Sequence, residues 1–226
     1  MALAPPAAFR SVLSGHSLIL GSQSASRKAI LSGLGVPFTV CVAGIDEQAI
    51  RRDTPEELVL ALARAKADAI LARLRAPSAP ALPSDTAQQR TPLLITADQV
   101  VVHDGVIREK PHDKAQAVSF IRGYSGSSAK TVGGICVTNV LTGAAAASLD
   151  VAQVFFRSIP EEVITALVED GSCLHCAGGL QVEHPLVQPY VHRFDGPMDS
   201  IQGLGVDVLA QLLTQVAEGR TSDAGQ

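Results

Sequence analysis

Leu93-Leu94-Ile95-Thr96-Ala97-Asp98-Gln99-Val100-Val101-Val102 decides how this chain folds. Apart from its polar centre, the run reads as a buried β-strand. An ionised side chain there lowers stability unless a metal, a cation or a substrate compensates it, so Asp98 is the first catalytic candidate. The plainer alternative is a strand-end aspartate hydrogen-bonded to a neighbouring loop.

Beyond this strand, His103-Asp104-Gly105-Val106 signals a tight hairpin turn, and the returning strand carries Arg108, Glu109, Lys110 and Pro111 back toward the level of Asp98. Upstream, Thr54-Pro55-Glu56-Glu57 forms a capping box with proline at the first helical position, which predicts a long helix toward Arg75. Its apolar stripe includes Leu58, Leu62, Ala65 and Ala69 and places Lys66 on the stripe's edge. From there Lys66 either snorkels outward or points its ammonium into a cleft. Residues 76–92, rich in Pro, Ser, Ala and Gln, read as a flexible insertion.

Near the start, Ser17 to Leu20 predict a short strand, followed by Gly21-Ser22-Gln23-Ser24-Ala25-Ser26-Arg27-Lys28 and a helix toward Gly35. Three serines and two cations at a helix N-terminus make an anion cradle for phosphate, with Ser22, Ser24 and Arg27 as its ligands. Ordinary serine capping of a surface helix is the other reading. Downstream, Asp113 caps a short helix ending at Gly123; Thr131 to Thr138 and Val151 to Phe156 predict strands. Ser158 and Glu161 open a helix that Gly171 closes, and a last helix spans Val206 to Ala217. Residues 178–205 read as a loop-rich flap beside a site.

The 226 residues suit one α/β domain over 17–217, with flexible tails at 1–16 and 218–226. A net charge of −4 and few aromatics lack the footprint of a protein that binds polymeric nucleic acid. No apolar run is long enough to span a bilayer, and the expectation is a soluble, cytoplasmic protein. Cys173 and Cys176, with His175 nearby, form half of a zinc-like pattern, but Cys41 and Cys136 lie in separate apolar segments, so buried or incidental thiols are favoured.

There is no P-loop, no complete dinucleotide fingerprint, no nucleophile elbow and no paired-histidine metalloprotease helix. The remaining polar set is Glu47, Lys66, Asp98, Lys110 and the serine–arginine loop. Two carboxylates with cations and an anion cradle suit metal-assisted displacement at phosphorus, Mg²⁺ or Mn²⁺ being held by hard oxygens.

In order and spacing, Gly21 to Leu31, Gly44-Ile45-Asp46-Glu47, Ala65-Lys66-Ala67, Ala97-Asp98-Gln99-Val100-Val101, Glu109-Lys110-Pro111, Tyr124-Ser125-Gly126 and Gly203-Leu204-Gly205 resemble the Maf family of nucleoside triphosphate pyrophosphatases. The resemblance covers about Leu18 to Leu213. It implies an elongated mixed β-sheet flanked by helices, related to inosine triphosphate pyrophosphatases and often dimeric. It also implies a divalent metal cofactor, Mg or Mn, and hydrolysis of a nucleoside triphosphate to monophosphate and pyrophosphate. The family's catalytic aspartate falls on Asp98, and its other polar active-site positions fall on Ser22, Arg27, Glu47, Lys66 and Lys110. Asp98 and Glu47 would then hold the metal and orient or activate water, and the cations would hold phosphate oxygens.

Three positions bear on the base. Gln99 and Glu183 resemble the branch directed at 7-methyl-GTP rather than the dTTP/UTP branch, and a carboxylate at Glu183 suits a cationic N7-methylguanine with N–H donors on its pairing edge. Ser26 stands where that branch has a tryptophan, removing a cation–π contribution of about 0.5–2 kcal/mol. A 7-methyl-GTP pyrophosphatase, a dTTP/UTP-preferring enzyme and a nucleotide-sensing regulator of cell division (septum formation) are the competing expectations.

Overall fold

A computed structural model of the chain describes residues 6–76 and 90–221. The Asp98 strand is the longest in it: β3 (Thr91–His103) lies inside a mixed sheet with β1 (His16–Leu20), β2 (Phe38–Val40), β4 (Val106–Arg108), β5 (Ser128–Asn139), β6 (Ala145–Phe156) and β7 (Val191–Asp195). The strand order is β2-β1-β3-β5-β6-β7, with β4 paired to β3. β1 runs parallel to both β2 and β3, in register Leu18↔Phe38 and Leu18↔Leu93, whereas β4 and β7 pair antiparallel with β3 and β6.

The chain divides into two compact units, one of residues 1–98, 133–150 and 202–226, the other of 99–132 and 151–201. The composition reads as a single domain because neither unit is continuous: the chain changes unit inside β3, β5 and β6, where no linker-like stretch marks the change.

In the first unit, the period-two alternation of strands sorts side chains onto two helical layers. Leu93, Ile95 and Ala97 pack with Leu18, Leu20, Ile135 and Val137 against α1 (Ala7–Leu13), α2 (Ala25–Gly33) and α7 (Val206–Ala217). Leu94 points the other way, with Ile19 and Cys136, onto Ala63, Ala67 and Ile70 of α3 (Pro55–Leu74). Thr54 caps α3 by accepting from Glu57 N, as the capping box predicts. The buried stripe of α3 differs from the expected one: it is centred on Val59, Ala63, Lys66, Ala67 and Ile70, and Ala65 and Ala69 lie at its margin. An alanine-rich helix has too little contrast between faces for its sequence to choose the buried one.

The second unit packs α4 (Lys114–Tyr124) on α5 (Glu161–Asp170) over Val101, Ala129, Ala152 and Val154. Asp113 caps α4 through Gln116 N at 2.7 Å. The hairpin between β3 and β4 turns through Asp104 (φ 49°) and Gly105 (φ 74°) and pairs His103 with Val106.

Three expectations change. The N-terminal segment expected as a flexible tail carries α1, whose Phe9 and Val12 are buried against α7; a Pro pair followed by small residues hid a helix held by tertiary contact. Residues 178–205, read as a flap, contain β7 and the short α6 (Met198–Ile201). β7 is mostly exposed, so it lacks the apolar alternation that marks a half-buried strand. The expected insertion 76–92 lies largely outside the described residues, although Thr91 and Pro92 already belong to β3. Among the described residues no helix is long and apolar enough to cross a membrane.

Candidate active site

The face of β3 that carries Leu94 toward α3 also carries Thr96 and Asp98, two and four residues further on. Thr96 Oγ1 donates to the carbonyl of Ala63 at 2.7 Å, tying strand to helix. One helical step on from Ala63, Lys66 falls on that same face, and its Nζ reaches Asp98 Oδ1 at 2.5 Å. The next contact of Nζ is Glu47 Oε2 at 3.0 Å. Glu47 opens a single 3₁₀ turn, Glu47–Ala49, that Asp46 caps through Gln48 N. Side-chain exposures of 10% for Lys66, 13% for Asp98 and 52% for Glu47 make this a cluster with one open side. Of the two fates open to Lys66, the cleft is the one realised.

The serine–arginine loop belongs to the same unit. Gly21 N donates to Ile95 O at 2.7 Å, and a β-carbon on Gly21 would lie 2.6 Å from Thr96 Cγ2, so only glycine lets the loop close on β3 here. Ser24 caps α2 by accepting from Arg27 N, which realises the capping alternative for that serine. Ser22 is buried and does something else: its Oγ accepts from Ser24 N at 3.2 Å and from Arg27 Nη1 at 3.3 Å. Arg27 Nε donates to Gly203 O at 2.8 Å. Burial pulls the Arg27 guanidinium below its ordinary range, while the nearby charges of Asp98 and Glu47 push it back up. Cradle and carboxylates thus share one electrostatic neighbourhood. Ser26, on the first turn of α2, is half-buried.

Gln99, Lys110 and Glu183 lie in the second unit. Gln99 Nε2 donates to Ser200 O at 2.8 Å. The β3–β4 ladder stops at Val101↔Arg108, and Lys110 lies exposed two residues beyond it. Gly178 N donates to Glu109 O at 3.0 Å, which brings the 177–179 turn beside Lys110. Burial pushes the Cys176 thiol up to about 12, helped by Cys173 and Glu183 and opposed by Lys110, so Lys110 and Glu183 act on one spot.

The donor set fits a divalent cation. Two hard carboxylates converge on Lys66 Nζ, and Mg²⁺ or Mn²⁺ takes one or two carboxylates and completes its shell with waters and substrate phosphates. Among the described residues no group of three or more His, Cys, Asp or Glu could hold a metal, so protein ligands alone would not saturate it. Any such cation would compete with the Lys66 ammonium for both carboxylates.

Sequence reasoning passed over Asp150. It is buried inside β6 and accepts from Gly205 N at 2.8 Å. The signal was the one that exposed Asp98, a carboxylate inside a strand, weakened here because the flanking residues Ala145-Ala146-Ala147-Ser148 are poor strand formers.

A mixed α/β sheet that brings two carboxylates, a buried lysine and a serine–arginine cradle together defines a protein equipped to handle phosphate esters or anhydrides. The Maf-like protein profile matches residues 17–216, and the chain belongs to the Maf family. A Dictyostelium discoideum protein named 7-methyl-GTP pyrophosphatase is 35% identical over 206 residues, covering 91% of this chain and 100% of its own. A nucleoside triphosphate pyrophosphatase of Salinispora tropica is 33% identical, covering 88% and 83%. A dTTP/UTP pyrophosphatase of Porphyromonas gingivalis is 31% identical, covering 91% and 97%.

Proposed function

We propose that this chain is a nucleoside triphosphate pyrophosphatase that cleaves the α–β phosphoanhydride, releasing nucleoside monophosphate and pyrophosphate, with 7-methyl-GTP or another modified nucleotide as its substrate. The observation that carries the reading is the lysine shared between Asp98 and Glu47 within the electrostatic reach of Arg27. Water attacks the α-phosphorus and gives its proton to an Asp98 carboxylate oxygen, while the bond from the α-phosphorus to the bridging oxygen breaks and that oxygen leaves with pyrophosphate. Lys66, Arg27 and Ser22 donate to phosphate oxygens, and Lys110 adds a further cation for them. A divalent cation held by Glu47 and Asp98 would neutralise phosphate charge and raise the electrophilicity of phosphorus.

Base choice rests on Gln99 and Glu183. With Nε2 committed to Ser200 O, Gln99 has its amide oxygen left to accept a hydrogen bond, and the exposed Glu183 carboxylate can accept from the N–H groups of a guanine edge and attract the charge of an N7-methylated ring. Ser26 offers no aromatic face, so selectivity for the cationic ring depends more heavily on Glu183.

The test is pyrophosphate release with Mg²⁺ or Mn²⁺ across 7-methyl-GTP, GTP, dTTP, UTP and CTP, with Asp98→Ala as control. Preference for 7-methyl-GTP that falls in Glu183→Gln supports the reading. A pyrimidine preference transfers it to the dTTP/UTP type, and nucleotide binding without turnover of any substrate overturns it in favour of a sensor.

A further inference from the structure

Asp150 is a carboxylate buried in the first unit, and the mechanism above does not use it. Burying an ionised carboxylate is unfavourable unless strong contacts compensate it. Its Oδ2 accepts from the backbone N–H of Gly205 at 2.8 Å. A β-carbon on Gly205 would lie 2.6 Å from both carboxylate oxygens, so glycine is what admits this approach.

Gly205 ends the Gly203-Leu204-Gly205 turn that leads into α7. At its other end Gly203, with φ at 100°, turns its carbonyl to Arg27 Nε at 2.8 Å. Arg27 Nη1 in turn donates to Ser22 Oγ at 3.3 Å. Two of the three guanidinium nitrogens are therefore held by the protein, and Nη2 takes no acceptor among the described residues. The direction of that last nitrogen is set by the Gly203 carbonyl, whose place is set by the turn that Asp150 clamps.

We propose that Asp150 is a positioning residue: through the Gly203–Gly205 turn it aims Arg27 at the phosphate-bearing end of the substrate. The assignment rests on the pyrophosphatase reading for its ligand, a di- or triphosphate chain, but not on turnover. The simpler role for Asp150 is as a helix cap for α7, a contribution to stability alone that would leave Arg27 unaffected. The two roles differ in whether Asp150 and Arg27 are energetically coupled.

The experiment is calorimetric binding of inorganic pyrophosphate, without divalent cation, to the full chain and to Asp150→Ala, Asp150→Asn, Arg27→Ala and the Asp150→Ala/Arg27→Ala double variant, with a thermal melt of each. Positioning predicts that Asp150→Ala weakens binding about tenfold, that Asp150→Asn, which keeps an acceptor for Gly205 N–H, recovers most of it, and that Asp150→Ala adds little once Arg27 is gone. Equal loss factors in both Arg27 backgrounds, or a lowered melting temperature with undiminished binding, overturns the proposal and leaves a cap. If Asp150→Ala does not fold, Gly205→Ala displaces the same carboxylate and is judged by the same coupling. Wild-type chain that ignores pyrophosphate sinks the proposal. Coupled binding without nucleotide hydrolysis sinks only the pyrophosphatase reading, and hydrolysis with additive losses sinks only the role of Asp150.

Discussion

Lys66 is the residue on which the site turns, because one ammonium serves two carboxylates of unequal exposure. Removing it takes the paired ammonium away from Asp98, whose side chain is 13% exposed, and leaves Arg27 as a nearby cation, so Lys66→Ala should destabilise the fold by about 3 kcal/mol. In Lys66→Ala/Asp98→Ala the stability loss should be smaller than the sum of the single losses, which chemical denaturation will read. Asp98→Ala should lower turnover by about 10²- to 10⁴-fold with the far-UV spectrum unchanged; a wild-type rate would remove Asp98 from catalysis. A separate effect belongs to the half-buried Cys176 thiol and the buried Tyr124 phenol. Burial pushes Cys176 from 9.0 and Tyr124 from 10.0 up to about 12 each. Both are acids whose neutral form folding favours. Below about pH 9 folded and unfolded states are alike protonated and nothing changes; above it the unfolded chain loses protons first, and stability falls toward about pH 12. Melting temperatures at pH 8 and pH 10 should show that fall, and Cys176→Ala should shrink it.

At the scale of elements, the site is a by-product of how α3 lies on β3. Thr96 to Ala63 and Asp98 to Lys66 are successive rungs of one interface, two residues apart on the strand and about one turn apart on the helix. Thr96→Val keeps shape and loses the 2.7 Å hydroxyl bond, so it should cost about 1 kcal/mol. It should also lower kcat more than it raises KM, since the displaced rung is the one proposed to be catalytic. Thr54→Ala, at the far end of the same helix, should cost a similar 1 kcal/mol through its cap and leave kcat untouched. Equal kinetic effects of the two variants would mean that α3 acts only through overall stability.

For the whole molecule, the first unit depends on a helix that the composition did not announce. Phe9 is 1% exposed and packs with Val12 against α7, so Phe9→Ala should cost about 3–4 kcal/mol in denaturant, and deletion of residues 1–14 should cost more. A deletion that melts like the full chain would restore the segment to the flexible tail its sequence suggested. The proposed roles are distributed over the two units: of the residues proposed to handle phosphate, Ser22, Arg27, Glu47, Lys66 and Asp98 belong to the first and Lys110 to the second, as do Gln99 and Glu183, which are proposed to address the base alone. Glu183→Gln should therefore change the ranking of nucleobases while leaving pyrophosphate affinity as it was.

By itself, the chain's sequence determined the strand around Asp98, the capped starts of α3 and α4, the hairpin at Asp104 and Gly105, and the extent of α7. Each is written in local chemistry: an apolar run, a capping side chain, a residue tolerant of positive φ, a periodic stripe. The ordered Maf motifs made the family legible in the same way, since each is a short run of residues standing at a fixed place along the 17–216 stretch that matches the family. Tertiary structure alone decided which face of the alanine-rich α3 is buried, that α1 and β7 form at all, and that Asp150 meets Gly205 across 55 residues of chain. Those outcomes depend on partners distant in sequence, and a helix with little contrast between its faces, or an edge strand with no apolar alternation, carries no local record of the surface that will cover it.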